Sequence, residues 1–155
     1  VSDILGKYIA LADWKIASIL MDEYYCTAVV DLETKAIRTV KDNLKEIAAG
    51  EKDACEKLMY ALILSGLAMQ MTGNSRPASG AEHHMVHLWD MEVVNGHLDA
   101  LHGEKVSAAT MLVLLEYKKA CRCYPKRSLQ SACLYRRRHR TPAGDLRQKR
   151  DSWST

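Results

Sequence analysis

SRPASGAEHHMVHLWDMEVVNGHLDALHGEKV, residues Ser75 to Val106, holds five of the chain's six histidines and decides how the rest is read. Within it, Ser79-Gly80-Ala81-Glu82 has the S-x-x-E spacing of a capping box, in which a hydroxyl and a carboxylate take up free N–H groups of a helix's first turn. The spacing predicts a helix from Gly80 onward. His83 and His87, four residues apart, then project from one face of that helix about one turn from each other. Asn95-Gly96 signals a turn, and His102-Gly103-Glu104-Lys105-Val106 reads as a loop opening the next helix. Two imidazoles on one helix and a third at the start of another can converge on one point. His84 lies about 100° round the helix from His83, and His97 precedes a polar loop, so both are read as bystanders.

Upstream, the apolar residues follow helical spacing. Ser2 is read as the cap of a first helix carrying Ile4, Leu5, Tyr8, Leu11, Ala12, Ile16, Ile19 and Leu20. Asp3 falls in its first turn, where an acid complements the helix macrodipole. Tyr24, Tyr25 and Cys26 mark a bend or a continuation. A second helical segment from Thr27 to Ala49 puts Val30, Ile37, Val40, Leu44 and Ile47 on one side, with Gly50 where a left-handed residue ends a helix. The third helix, Lys52 to Met71, is apolar nearly all round between Leu58 and Met69, so it is expected to be central and most buried. Pro77 cannot continue it. A last apolar helix runs from Val106 through Tyr117. With no period-2 strand pattern and no internal repeat, the expected fold class is all-α, a helical bundle.

At 155 residues, 48% hydrophobic with seven methionines and no phenylalanine, the chain suits one helical domain. It contains no apolar run of the length a membrane span requires. Five cysteines, an odd number without a secretory leader, point to reduced thiols and a cytoplasmic location. Cys121-x-Cys123 lacks the two-residue gap of the common zinc knuckle. Charge divides the chain: residues 1–118 carry 11 Lys and Arg against 17 Asp and Glu, and residues 119–155 carry 11 against 2. The expected organisation is therefore a domain over 1–118 and a basic tail over 119–155. The tail has few aliphatics, no sustained helical period and a block Arg136-Arg137-Arg138-His139-Arg140. It is read as disordered, or as residues outside the domain's native frame introduced by a frameshift or junction near residue 119. A basic arm for nucleic acid competes with this reading, but no recognisable binding module flanks it, so nucleic acid is not an expected partner.

Zinc and similar divalent ions accept imidazole nitrogen and carboxylate oxygen, and a catalytic site uses three protein ligands with one position open. An H-x-x-x-H pair alone is equally explained by exposed or core-satisfied histidines. A third histidine beside a Gly-Glu-Lys turn moves the reading toward a metal site.

Three separated segments carry a resemblance. Ser75-Arg76-Pro77-Ala78-Ser79-Gly80-Ala81-Glu82-His83 followed by His87, and His102-Gly103-Glu104-Lys105-Val106, are similar to the signature segments of the sn-glycerol-1-phosphate dehydrogenase family. Asp3-Ile4-Leu5-Gly6-Lys7-Tyr8-Ile9-Ala10-Leu11-Ala12-Asp13-Trp14-Lys15 resembles the first helix of that family's C-terminal α domain. The family sits in a wider group with glycerol dehydrogenase, iron-containing alcohol dehydrogenases and 3-dehydroquinate synthase. The resemblance covers residues 1 to about 118.

The resemblance implies metal ligation by Asp3, His83 and His102, with Zn2+ or Ni2+ as the ion, and substrate contacts from His87 and from Asp3. It implies a hydride transfer between NAD(P)H and dihydroxyacetone phosphate that gives sn-glycerol 1-phosphate, in an enzyme of phospholipid biosynthesis. His87 is then the expected catalytic proton relay or hydrogen-bond donor to a substrate hydroxyl. Helix-terminus chemistry adds Arg76 and the N–H groups of the Gly80 helix as candidate donors to the substrate phosphate; Arg76 is equally readable as a structural loop residue. In that family an N-terminal α/β domain binds the dinucleotide through a glycine-rich segment, and before residue 50 the only glycine is Gly6. No cofactor-binding residue is assigned here, and NAD(P) is expected to bind through that other domain. The chain is accordingly expected to be a C-terminal catalytic domain of a longer dehydrogenase, or a truncated copy, inactive alone. The competing expectations are a glycerol dehydrogenase-like relative and a non-catalytic helical metal-binding or assembly domain. An apolar face left uncovered makes a homo-oligomer the expected state.

Overall fold

A computed structural model describes residues 1–91 and 100–123 of the chain. The Asn95-Gly96 turn, His97, Cys133 and the Arg136–Arg140 block lie outside the described residues. Six helices follow one another: α1 (Ser2–Met21), α2 (Thr27–Asp42), α3 (Leu44–Ala48), α4 (Lys52–Thr72), α5 (Ala81–Asp90) and α6 (His102–Cys123). No strand occurs among the described residues, and the fold is all-α. The chain falls into two units, Val1–Lys119 and Ala120–Thr155, with α1 to α5 and most of α6 in the first.

The first helix ends at Met21, just past the last of its apolar positions, and Tyr24 to Cys26 form a bend rather than a continuation. Asp22 takes a left-handed conformation, φ 59°, and Glu23 to Cys26 are not helical. The break is held by Trp14, fully buried on α1, whose indole N–H donates to the Tyr24 carbonyl at 2.7 Å. Tyr25 packs on the same indole with ring centroids 4.9 Å apart. Satisfying the indole N–H while burying its rings is what a tryptophan in a core requires.

The second segment is two helices rather than one. Asn43 leaves helical geometry at φ −116°, and its side-chain amide donates to the Thr39 carbonyl at 2.7 Å. Asparagine competes with the helix backbone in this way, so a break here follows from the residue type.

The core joins α1, α2 and α4. Ile4, Leu11 and Trp14 from α1 meet Val29, Ala36, Ile37 and Val40 from α2 and Ala61 and Ala68 from α4. The expectation that α4 is the most buried helix is corrected. It buries only Ala54, Ala61, Ser65 and Ala68, while Met59, Tyr60, Ile63, Leu67 and Met71 are exposed. Among the described elements α4 packs mainly on α2 and α3, which leaves the side carrying these exposed apolar residues largely uncovered. Its small residues let α2 approach closely, which is why the buried stripe is alanine-rich.

A smaller cluster, Val86, Val106 and Ala109 with Met85 and Trp89, packs α5 on α6. Gly6 of α1 faces it: a Cβ there would stand 3.1 Å from Val106 Cγ1, 3.2 Å from Thr110 Oγ1 and 3.4 Å from Glu82 Cγ. Three helices therefore meet where the sequence supplies no side chain. Among the described residues Cys26, Cys55 and Cys121 are free thiols. No described helix is long and apolar enough to cross a membrane.

Candidate metal centre

The start of α5 is built differently from the expected capping box. Gly80 is the N-cap and α5 begins at Ala81, one residue later than the spacing suggests. Ser79 does not cap it. The Ala81 N–H instead donates to Asp13 Oδ2 of α1 at 2.6 Å, and the Gly80 N–H donates to Glu82 Oε1 at 3.0 Å. The first turn is thus satisfied partly by a side chain 68 residues away in sequence. Gly80 is required by space, because a Cβ there would stand 2.7 Å from Ala10 Cα. This close approach brings α5 against α1 beside Asp3.

The start of α6 is fixed at its other side. Glu104 Oε2 accepts the Leu101 N–H at 2.9 Å, the carboxylate half of a capping box. Lys105 Nζ meets Asp90 Oδ1, at the end of α5, at 2.6 Å. His102 opens α6 as its first residue rather than standing in a loop before it.

These placements bring Asp3, His83 and His102 together. Asp3 Oδ1 lies 3.2 Å from His83 Nε2 and 3.9 Å from His102 Nε2. One donor atom from each residue falls within 4.8 Å of the others. Lys7, one turn along α1 from Asp3 and almost wholly buried, holds the second carboxylate oxygen: its Nζ is 3.2 Å from Asp3 Oδ2 and donates to the Ala78 carbonyl at 3.2 Å. His83 Nδ1 lies 2.8 Å from Glu82 Oε1. His87 stands beside the group, exposed, its ring centroid 6.4 Å from that of His83.

The electrostatics follow from these contacts. The hydrogen bond with His83 holds the Asp3 carboxyl well below the usual carboxylate range, helped by Lys7 and opposed by burial. The hydrogen bonds to Asp3 and to Glu82 push His83 up to about 9, again against burial. Burial raises Asp13, and the nearby Glu82 carboxylate raises it further.

The donor set fits a small divalent ion. It offers one carboxylate oxygen and two imidazole nitrogens, and ligands held at about 2.0–2.2 Å from such an ion stand no more than roughly 4.4 Å apart. The two separations from Asp3 Oδ1 are inside that limit. His102, with its side chain 52% exposed, is the donor best able to adjust.

Two other expectations look different in place. Arg76 is engaged: its Nη2 lies 2.6 Å from Glu23 Oε1, tying the loop before α5 to the segment after α1. The N–H groups of Gly80 and Ala81 are occupied by carboxylates, so the start of α5 is not an open anion site. His84 is exposed and outside the donor group. Sequence reading gives Lys7 no role and Glu82 only a capping one. Lys7 carried a signal in its four-residue spacing from Asp3, and Glu82 in its place next to His83, but both have local roles that explain them equally well.

No family model matches the chain. Among curated proteins it is 44% identical over 121 residues to a protein of Halalkalibacterium halodurans named glycerol-1-phosphate dehydrogenase [NAD(P)+], covering 77% of this chain and 30% of that one. A protein of the same name from Geobacillus stearothermophilus is 41% identical over 118 residues, 76% of this chain and 29% of the relative. One from Staphylothermus marinus is 39% identical over 117 residues, 76% of this chain and 32% of the relative. The chain thus spans about three tenths of the length of these relatives. Over the part that aligns, the chain matches the glycerol-1-phosphate dehydrogenase family.

Proposed function

We propose that these residues form the metal-binding, C-terminal helical part of an NAD(P)-linked sn-glycerol-1-phosphate dehydrogenase that reduces dihydroxyacetone phosphate. The observation that supports it is the meeting of Asp3, His83 and His102 on one point from α1, α5 and α6. They come from the three segments that resemble the family. Asp3, His83 and His102 would hold Zn2+ or Ni2+, ions that ligand type alone does not separate. When bound, such an ion supplies Lewis acidity toward a carbonyl or alcohol oxygen.

The chain's own residues would do the rest around that oxygen. Asp3 contributes charge and, with its carboxylate already ionised, needs no deprotonation to act. His87, one turn from His83 and open to solvent, is placed to hydrogen-bond a substrate hydroxyl or pass a proton to the product oxygen. Arg76 is the candidate donor to the substrate phosphate. One of its N–H groups is committed to Glu23, and the remaining donors of the guanidinium are available for bidentate recognition. The dinucleotide would be held by a glycine-rich α/β domain, of which these residues carry no equivalent motif. The reading places the protein in the cytoplasm, and the exposed apolar side of α4 supports self-association.

Metal content of the purified chain tests the proposal. One zinc or nickel per chain, lost in both His83→Ala and His102→Ala, is the expected result. A wild-type chain that takes up no metal at micromolar supply would overturn it for this chain. Turnover of dihydroxyacetone phosphate with NADH or NADPH by the chain alone would overturn the need for a separate cofactor domain.

A further inference from the structure

We infer that Glu82 is a positioning residue for the metal centre: it holds the His83 ring in the one orientation and tautomer that turn Nε2 toward Asp3 and His102. The inference rests on the metal reading above and concerns a residue outside the donor set.

Glu82 is fully buried on α5, and one oxygen serves two donors. Oε1 accepts the Gly80 N–H at 3.0 Å and lies 2.8 Å from His83 Nδ1. As a carboxylate Glu82 has no hydrogen to give, so Oε1, which also accepts the Gly80 N–H, takes its contact with Nδ1 from a proton on that nitrogen. With Nδ1 carrying its hydrogen, Nε2 is the nitrogen left to bind a metal, and it already lies 3.2 Å from Asp3 Oδ1. A carboxylate behind a metal-binding imidazole commonly acts in this way, and loss of such a partner typically costs ~10–100-fold in metal affinity.

The backbone around Glu82 makes the arrangement rigid. Glu82 Cγ lies against Gly6 of α1 and Oε2 against Gly80, so the side chain is enclosed by the two glycines that let α1 and α5 approach. Its second oxygen has no hydrogen-bond partner among the described residues. A buried, half-satisfied carboxylate is costly to a fold. It is better accounted for by what Oε1 does to His83 than by stability alone.

The test is metal binding by the chain, measured by competition with a chromophoric zinc chelator and by long-range 1H–15N NMR of the histidine rings. Glu82→Gln keeps an acceptor for Nδ1–H but weakens it; Glu82→Leu removes it. The zinc-loaded wild type should show His83 bound through Nε2 with Nδ1 protonated. Glu82→Gln should keep that signature with a loss of affinity of about fivefold or more, and Glu82→Leu should lose ~10–100-fold and the single signature. If Glu82→Leu does not fold, Glu82→Gln decides. Unchanged zinc affinity in Glu82→Gln, or in a folded Glu82→Leu, would overturn the inference while leaving the metal centre standing. A wild-type chain that binds no zinc would overturn both.

Discussion

His83 Nε2 and Asp3 Oδ1 face each other at 3.2 Å, the same two atoms that a bound ion would separate. Without an ion they form a charged pair, and His83 is pushed up to about 9 from 6.5, first by Asp3 and then by Glu82. A histidine with a raised folded pKa stabilises the fold fully below its unfolded value, and this contribution is lost as pH climbs through about 9. A metal must displace that proton, so binding near neutral pH should release about one proton per ion. Asp3, ionised throughout, releases none. Calorimetry of zinc binding in buffers of different ionisation enthalpy measures this directly. Release should fade above the His83 pKa; binding at neutral pH without proton release would contradict the assignment.

Gly6 and Gly80 both sit where helices touch, yet their replacement should differ sharply. At Gly80 a Cβ would meet backbone, Ala10 Cα at 2.7 Å, and backbone has no rotamer to yield. Gly80→Ala should therefore cost at least the ~1–3 kcal/mol typical of overpacking, and should weaken metal binding by moving α5 off α1. At Gly6 the nearest atoms are side-chain ends at 3.1 Å and 3.2 Å. There the helix-interior gain from glycine to alanine, about 1 kcal/mol, offsets much of the crowding. Urea denaturation should rank Gly80→Ala far below Gly6→Ala, and equal stabilities would refute the packing described.

The contrast between what was legible in the sequence and what was not follows the reach of each interaction. Helical spacing and the all-α class depend on neighbours three or four residues apart, and α4 was readable almost to the residue. The partner of the Ala81 N–H is Asp13, 68 residues away, and no local pattern points to it. Ser79-x-x-Glu82 matches a capping box by spacing, but the Ser hydroxyl's place is taken by that distant carboxylate, while Glu82 accepts the Gly80 N–H and also meets His83. The burial of α4 was misread for a related reason. Its apolar residues report a tendency to be covered, and what covers them depends on which elements lie alongside.

Glu33 offers a test of the core. It is fully buried on α2, and neither of its oxygens meets good hydrogen-bond geometry among the described residues, although the neighbouring Ser65 hydroxyl still favours its charged form. Burial raises its pKa above 4.5. An acid raised in the folded state favours folding at low pH, and that advantage disappears as pH rises through the folded value. At neutral pH the group works against the fold. Glu33→Gln, which removes the buried charge but keeps a polar group there, should therefore stabilise the chain above that range and flatten its dependence on pH. Urea titrations across the acid range would detect both effects; a Glu33→Gln variant weaker than wild type at neutral pH would show that the carboxylate has a stabilising partner.

Arg76 and Glu23 separate two roles for one guanidinium. Their 2.6 Å contact is about two-thirds shielded, with side chains 34% and 29% exposed. A clamp between the α1–α2 link and the loop before α5 should give a double-mutant coupling of about 0.5–1 kcal/mol between Arg76→Met and Glu23→Gln, at the upper end for partly exposed pairs. The phosphate role adds a separate expectation. Equilibrium binding of dihydroxyacetone phosphate to the metal-loaded chain should weaken about tenfold or more in Arg76→Met, because a charge-assisted bidentate contact is lost. Arg76→Lys, which keeps the charge but not the planar fork, should recover only part of it. If both variants lose stability but bind the phosphate as wild type does, Arg76 serves the loop alone, and the phosphate donors lie elsewhere in the enzyme.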